Sequence, residues 1–477
     1  GHIEITPRVG VAFDTEFLFQ AMQWEDPDLP LRYEFLFMAP DSSLLVIQSL
    51  SEHASVSSMM SRGQEIEGYS VAIILNVFDD LGANSSLESS IVVSPSSSAS
   101  AVSIGSEVLA VATVEQKDVA LVASAMNTND CSLAPDCALL NRNNCFEKPN
   151  TCGECQSDYV GEEGSANSNC VTSTALGGLL AASARVNGRA TGRSVLYCSE
   201  CSVWEDCVDD SSNGLKLCID TQKSCSDNSC SSHGSCTFMT LDYPFEEVAD
   251  CWVGSRSCSA KCVCDDGYAG KVCEYGEEDY VVKKQAREDG LIALKFLILL
   301  QDGSEAEIVG SIRTLASLTQ FPEEMSVSSA TVALDVVDAI IDLVQVTPVS
   351  REALFQLLRP LDDISVALSF YVASASRLKE AVDAIGYMVV SEMVVGEAPV
   401  AHKTGSIRLN FKAIDFSYGN RISFSVTQSK YEVGYGVPSN TVGFEPPPVD
   451  TMPVIGWLTQ TNATIFNDHH NVERRRR

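Results

Sequence analysis

The chain has 477 residues, of which 45% are apolar, and a formal net charge of −32. This length is too great for one compact core, and the apolar fraction is that of ordinary globular proteins, so we expect roughly three or four domains. The acidic balance repels phosphate backbones and anionic membrane surfaces, which argues against nucleic acid as a partner. The simplest interpretation of the acidic charge is that it keeps the protein soluble.

The first region, residues 1–95, consists of short β-rich runs separated by turns such as Asp26-Pro-Asp. Strands at this spacing predict an all-β, antiparallel, Ig-like sandwich. The segments Trp24-Glu-Asp-Pro-Asp-Leu-Pro-Leu-Arg-Tyr-Glu-Phe and Asn76-Val-Phe-Asp-Asp-Leu-Gly-Ala resemble the receptor-for-egg-jelly (REJ) module of the polycystin family. We expect Trp24 and Tyr33 to fill the core of the sandwich.

Residues 96–130 connect this region to the next. The serine-rich stretch Ser94–Ser98 cannot bury a face, which predicts a linker. Apolar residues between 104 and 127 then predict one or two short amphipathic helices.

All 18 cysteines lie between Cys131 and Cys273. An even number in so short a stretch predicts disulfides formed in an oxidising compartment. Residues 131–224 hold two even sets, whose pairing the sequence leaves open: Cys131, Cys137, Cys145, Cys152, Cys155 and Cys170, then Cys198, Cys201, Cys207 and Cys218. The two C-x2-C pairs at 152–155 and 198–201 could instead hold zinc, but they lie much farther apart than in a zinc ribbon, so we expect no metal there.

Residues 225–274 have the pattern Cys225-x4-Cys230-x5-Cys236, a long insertion, and Cys262-x-Cys264-x8-Cys273, with Gly234 and the turn Gly267-Tyr-Ala-Gly at fixed places. This pattern resembles the EGF-like family, in which three bridges stabilise a module too small to do so by burial. The resemblance implies the bridges Cys225–Cys236, Cys230–Cys262 and Cys264–Cys273. The insertion adds Cys251 and Cys258, which we expect to pair with each other.

No cofactor and no catalytic residue are predicted. Many EGF-like modules bind calcium through acidic residues before the first cysteine, but here Asp220 is opposed by Lys223. The six histidines form no HExxH motif, and the sequence has no G-x-S-x-G elbow.

Residues 280–467 predict an α+β domain, with a helical half of four or five helices followed by a β-rich half. Apolar residues recur every fourth position from Val332 to Val344, with Ser326 as a candidate N-cap; Ile340 should be buried and Asp338 should face solvent. A second long helix is expected over residues 363–393. A period of two then predicts strands that begin at Ile407 and Ile422.

The order of these halves resembles the membrane-proximal GAIN-type domain of polycystins and adhesion receptors. Local similarities lie at Thr314–Thr319, Pro322–Glu324 and Leu361–Ser365. The family's self-cleavage tripeptide lies between cysteine pairs, and no cysteine follows Cys273, so that site is absent from this sequence. Either it lies farther along the full-length protein, or autoproteolysis does not occur.

Three further features bear on location. The sequons at Asn84 and Asn462 predict N-glycosylation if the chain is secreted. The longest apolar run, Gly290–Leu300, contains Lys295 and is too short to span a bilayer, so it predicts a buried helix, and we expect any membrane anchor to lie outside this sequence. Residues 468–477 predict a disordered basic tail, either a processing site or the remnant of an incomplete gene model.

These patterns predict a non-catalytic extracellular recognition or adhesion segment of a REJ-containing cell-surface receptor. Its ligand would be an extracellular protein or glycan. The alternative is a secreted structural protein of an extracellular matrix or cell appendage, in which the EGF-like module serves as a spacer.

Overall fold

The chain divides into two compact units in a computed structural model. Unit 1 comprises residues 1–128, 278–427 and 442–477, and unit 2 comprises residues 129–277 and 428–441. The structure describes residues 1–40, 43–96, 109, 114–162, 164–172, 193–195, 197, 201, 205–209, 216–225, 230–240, 246–253, 255, 257–300, 303–368, 372–394, 397–404, 407–412, 422–425, 441–444 and 456–461.

Eight strands of unit 1 form the predicted sandwich. One sheet has the order β1-β3-β6, and the other has the order β2-β8-β7-β4-β5, with β2 parallel to β8. The strands are β1 (His2–Thr6), β2 (Val9–Val11), β3 (Phe17–Met22), β4 (Arg32–Met38), β5 (Leu44–Ser51), β6 (Ser55–Ser58), β7 (Ser70–Phe78) and β8 (Asn84–Ser94).

The sandwich core follows from the alternation of side chains along these strands. In β7 every second residue is buried, and in β3 Phe17 and Phe19 point inward. Phe35 and Phe37 of β4 complete an aromatic core. Trp24 and Tyr33, which were expected to fill this core, are instead half-buried and pack against it, so that expectation was wrong in detail.

Helix α1 (Gln116–Met126) follows the sandwich and is buried on nearly all sides. Val119, Val122 and Ala123 belong to the core of the helical region, whereas Ala120 and Leu121 belong to the sandwich core. The sequence predicts one or two short helices in this region, and α1 is one of them; most of residues 96–113 lie outside the described residues. A helix that is apolar all round must be covered on both sides.

The described part of residues 277–391 contains six α-helices, against the four or five predicted. They are α2 (Glu277–Leu300), α3 (Glu305–Thr319), α4 (Val327–Val346), α5 (Arg351–Gln356), α6 (Leu358–Ala367) and α7 (Val372–Ser391). The long helix expected over residues 363–393 is therefore two helices. Helix α6 ends at Leu368, whose backbone angles of φ −97° and ψ 8° are not helical.

Helix α3 packs directly on the sandwich and on α1. Its Gly310 allows this approach, because a Cβ there would lie 2.8 Å from Nε2 of Gln116 and 3.0 Å from a methyl group of Val46. Val46 and Leu36 are both buried, although neither belongs to the sandwich core. The five-stranded sheet is thus covered on both faces near β5, once by the other sheet and once by helices.

Helix α4 matches its prediction closely. The Ser326 hydroxyl accepts a hydrogen bond from the Ser329 N–H and caps the helix. Ile340 is fully buried, and Val332 is half-buried. Asp338 is not a free solvent-facing residue, because its carboxylate accepts a 2.6 Å hydrogen bond from Arg377 on α7.

The apolar run Gly290–Leu300 lies in the second half of α2, and only one face of it is buried. Leu291, Leu294 and Ile298 enter the core, whereas Phe296 and Leu300 are 63% and 82% exposed. The expectation of a wholly buried helix was therefore wrong, because α2 is amphipathic and Lys295 turns outward to pair with Asp335. Among the described residues, no helix combines the length and apolar character that crossing a bilayer requires.

The C-terminal strands confirm the predicted change of period. Strands β19 (Val400–Lys403), β20 (Ile407–Lys412) and β23 (Gly456–Thr461) form an antiparallel sheet, and β21 (Ile422–Ser425) pairs with β22 (Thr441–Phe444). Ile407, Leu409 and Phe411 of β20 enter the core of the helical region.

Unit 2 has little regular structure. Its strands form short sheets: β9 (Tyr159–Val160) with β10 (Val171–Thr172), then β11 (Arg193–Val195), β12 (Glu205–Asp209) and β13 (Lys216–Asp220), then β14 (Gly234–Thr240), β15 (Glu247–Val248) and β16 (Cys258–Cys264), and β17 (Tyr268–Ala269) with β18 (Tyr275–Gly276). The predicted fold class is confirmed: an N-terminal β-rich region, a disulfide-rich centre and a C-terminal helical part with a few strands.

Replacing Ile340 with Asp should abolish the cooperative unfolding of unit 1. The change places an unpaired carboxylate among buried side chains of α4, at a cost on the order of 4 kcal/mol or more. Circular dichroism during heating measures this. Asp342→Asn on the same helix is the control, because Asp342 is exposed, and it should change stability by less than about 0.5 kcal/mol. An Ile340→Asp protein that unfolds at the wild-type temperature would contradict this packing.

Candidate functional site

The C-terminal part of unit 2 is a long hairpin held by disulfides. Strands β14 and β16 pair from Gly234 opposite Cys264 to Thr240 opposite Cys258. The bridges around it are Cys225–Cys236, Cys230–Cys262 and Cys264–Cys273, the same three pairs that the resemblance implies. A fourth bridge, Cys251–Cys258, closes the insertion on itself.

Glycines occupy places where this hairpin leaves no room for a side chain or where its turn has a positive φ. A Cβ at Gly234 would lie 2.8 Å from Sγ of Cys273, so only glycine fits between the two strands and the last bridge. Gly267 and Gly270 have φ values of 89° and 108°, which favour glycine. Between them Tyr268 stacks on His233, with ring centroids 3.7 Å apart.

Lys223 anchors the insertion from the segment just before the first cysteine. Its ammonium group is buried and donates a 2.9 Å hydrogen bond to the Cys258 carbonyl. Its backbone N–H donates to the carbonyl of Cys251 at 2.8 Å. The segment just before Cys225 therefore carries a buried positive charge, at the place where calcium-binding modules carry acidic ligands.

The N-terminal part of unit 2 is held by three more disulfides and a buried arginine. The bridges are Cys131–Cys145, Cys137–Cys152 and Cys155–Cys170. The guanidinium of Arg142 is 1% exposed and donates to the carbonyls of Gly153, Glu162, Gly164 and Ser168 at 2.6–3.1 Å. One side chain thus satisfies the carbonyls of several loops that have no regular secondary structure.

The remaining cysteines are also accounted for among the described residues. Cys201 pairs with Cys218, Cys207 is disulfide-bonded, and Cys198 lies outside the described residues. None of the described cysteines is free. The zinc alternative is therefore wrong for Cys152, Cys155 and Cys201, because their sulfur atoms are in disulfide bonds.

One group of carboxylates in the described residues has the geometry of a cation site. Oxygens of Asp26, Asp28 and Asp79 lie within 4.8 Å of one another, on the loop before β4 and on the β7–β8 hairpin. The sequence indicates only a turn at Asp26-Pro-Asp and carries no signal that Asp79 lies beside it. All three side chains are at least partly exposed, and such groups are common in proteins without an ion.

Unit 1 contains a buried polar network that joins α1 to the helical region. Arg287 of α2 is fully buried and donates to Oδ1 of Asn127 at 3.1 Å and to the Leu318 carbonyl at 2.7 Å. Its other partner is the carboxylate of Glu324, which also accepts a 2.6 Å hydrogen bond from Lys283. Asn127 in turn donates to the Ser317 carbonyl at 2.7 Å.

The electrostatics of this network keep Glu324 ionised. Burial alone would raise the pKa of its carboxyl group, but the charges of Arg287 and Lys283 outweigh burial and hold the pKa below its usual range. Both cations also lie over the ring of Phe321, at 5.6 Å and 5.8 Å from its centroid. The carboxylate therefore compensates a concentration of buried positive charge.

The predicted glycosylation sites differ in what the structure describes. Asn84 is exposed at the first position of β8, directly after the β7–β8 hairpin turn. Asn462 lies outside the described residues, as does the basic tail. Glycosylation of either residue stays a prediction.

Comparison with known protein families bears on the N-terminal part of the chain. Residues 1–130 match the family model of the REJ domain. REJ domains are non-catalytic extracellular modules, which agrees with the oxidising compartment indicated by the disulfides. The match covers the sandwich and α1. No curated protein matches the chain.

Replacing Arg142 with Met should disrupt the N-terminal part of unit 2. The change leaves one buried and three partly buried carbonyl groups without this donor, which should cost on the order of 3 kcal/mol or more. Disulfide mapping after oxidative refolding should then show mispaired cysteines among the six between Cys131 and Cys170. Arg8→Met is the control, because Arg8 is exposed and its described hydrogen bond is to the Ser89 hydroxyl. Native pairing in Arg142→Met would contradict the assigned role.

Replacing Glu324 with Gln should destabilise unit 1 at pH 7 by about 3–5 kcal/mol, because Arg287 and Lys283 lose their buried counter-charge. The folded-state pKa of Glu324 is depressed, so its contribution is complete above the unfolded pKa of about 4.3 and is lost as pH falls through the folded pKa. The difference in unfolding free energy between the two proteins should therefore shrink below pH 4.3. Urea titrations at several pH values measure it, with the exposed Glu380→Gln as control. A difference that does not change with pH would rule out the charge pairing.

Proposed function

We propose that the chain is a non-catalytic recognition segment of the ectodomain of a polycystin-like, REJ-containing cell-surface receptor. The observation that carries the proposal is that a REJ-matching segment leads directly into a unit held by eight described disulfides. Such a combination suits an extracellular protein exposed to oxidising conditions.

Residues 225–274 are, in this proposal, an EGF-like module with an enlarged hairpin. The three bridges, the close approach at Gly234 and the positive φ values at Gly267 and Gly270 all support that assignment. Residues 280–467 would be a GAIN-type domain, which is supported by the order of helices followed by strands.

The surface of the EGF-like module is the proposed site of recognition. Tyr268 is exposed and stacked on His233, and Val263 of β16 is 51% exposed. Aromatic and apolar side chains fixed on a crosslinked frame lose little entropy when a protein or glycan covers them. Because Lys223 occupies the segment before Cys225, we expect this recognition to need no calcium.

The proposal is tested by measuring how strongly the multimerised chain binds to the surface of cells from its source tissue. The variant with both Cys264 and Cys273 replaced by Ser removes one bridge without leaving a free thiol, at a cost of about 2–5 kcal/mol to the module. It should bind at least roughly tenfold more weakly than wild type, while unit 1 keeps its thermal transition. Val281→Ser, an exposed change on α2, is the control.

Detection of the full-length gene product in intact cells distinguishes the two functions. Surface labelling that is removed by external protease would support the receptor. A product found only in the medium or in insoluble matrix would instead support the secreted structural protein. Unchanged cell binding by the double serine variant would contradict recognition through the EGF-like module.

A further inference from the structure

The disulfide-rich residues 129–277 are inserted between two segments of unit 1. The chain leaves unit 1 after α1, at residue 128, and returns at residue 278, at the start of α2. Residues on the two sides of this excursion nevertheless contact each other within unit 1. Asn127 and Arg287 are 160 positions apart in sequence and share a 3.1 Å hydrogen bond.

The closure of unit 1 is built from buried contacts on both sides of α1. On the sandwich side, Ser124 and Ser61 hydroxyls are 2.9 Å apart, and Gln116 accepts a hydrogen bond from Ser49 at 3.1 Å. On the helical side, Gln116 donates to the Ser311 hydroxyl at 3.2 Å. Apolar residues of both cores lie between these hydrogen bonds.

We propose that unit 1 closes non-covalently across the excursion, so that tension between the N-terminus and the helical region bypasses residues 129–277. A pulling force follows the shortest connected path through folded structure. While α1 stays packed on α3 and bound to Arg287, that path runs from α1 to the helices and omits unit 2. The disulfide-rich unit is therefore kept free of load until α1 separates from the helical region.

Buried apolar contacts and the ion network stabilise the non-covalent closure against the separation of α1 from the helical region. Val119, Val122, Ala123 and Met126 of α1 are each at most 1% exposed. Because these four side chains are buried together, they oppose the separation of α1 from the helical region as a group. The hydrogen bonds that join Arg287, Asn127 and Ser317 must break in the same step. The proposal does not depend on what the chain binds.

Single-molecule pulling on the full chain tests this load path. Handles are attached at Gly1 and at exposed Glu392, just after α7. Rupture of unit 1 should precede any extension that depends on reductant. After that rupture, the reduced protein should gain about 500 Å from the roughly 150 residues of unit 2, because each residue spans up to about 3.3–3.6 Å, and the oxidised protein should gain much less.

Two variants sharpen the test. Glu324→Gln should raise the rate of the first rupture at constant force by roughly tenfold or more, whereas the exposed Glu380→Gln should leave it unchanged. The order of events should stay the same in both. A reductant-dependent extension that appears before unit 1 ruptures would overturn the proposal.

A nicked chain provides an independent measurement. A protease site inserted between Thr172 and Arg193 cuts the chain where none of the eight described disulfides joins the two sides. After cleavage the two pieces should co-elute, and Ala123→Asp should separate them because it places a charge in the closing interface. The exposed Asp342→Asn is the control. Pieces that separate without any substitution would refute the closure.

Discussion

Helix α1 is the element on which the architecture of unit 1 depends, because it belongs to two cores at once. Eleven residues from Gln116 to Met126 separate the sandwich from the helical region, and nine of them are buried. A short isolated helix is marginal in water, so α1 owes its stability to the packing on both sides. The sandwich and the helical region in turn cover each other through it and through α3. Loss of α1 would expose apolar surface on both.

The two units are stabilised by different means. Unit 1 contains no cysteine and relies on burial, capped helices and the paired charges around Glu324. Unit 2 has few buried apolar residues beyond the cysteines themselves, and its small clusters at Cys155 and Cys225 consist largely of disulfides. Small modules of this kind need crosslinks because they bury too little surface to offset chain entropy. The buried Arg142 supplies the hydrogen bonds that sheets would otherwise provide.

The sequence predicted those features whose signal lies in local spacing. The alternation in β7 and the cap at Ser326 depend on residues a few positions away, and the cysteine pattern from Cys225 to Cys273 resembles a family whose pairing it implies. The double role of α1 was out of reach because its partners are about 190 residues distant along the chain, as with Asn127 and Ser317. Arg142 and Arg287 were missed for a related reason. An arginine is usually exposed, and its burial becomes visible only when the carbonyls or carboxylates around it are known.

The packing of α1 bears on how the REJ-matching segment folds. The matching residues 1–130 include α1 and end just where the chain enters unit 2. In this chain, the face of α1 that carries Val119, Val122 and Met126 is covered by helices that begin at Glu277 and Glu305. A segment cut at residue 130 would therefore present an apolar helix face and an unpaired Asn127 to solvent. The REJ-matching segment and the helical region are better regarded as one folding unit with a disulfide-rich excursion between them. Two regions that are separate in sequence thus pack on opposite sides of one shared helix.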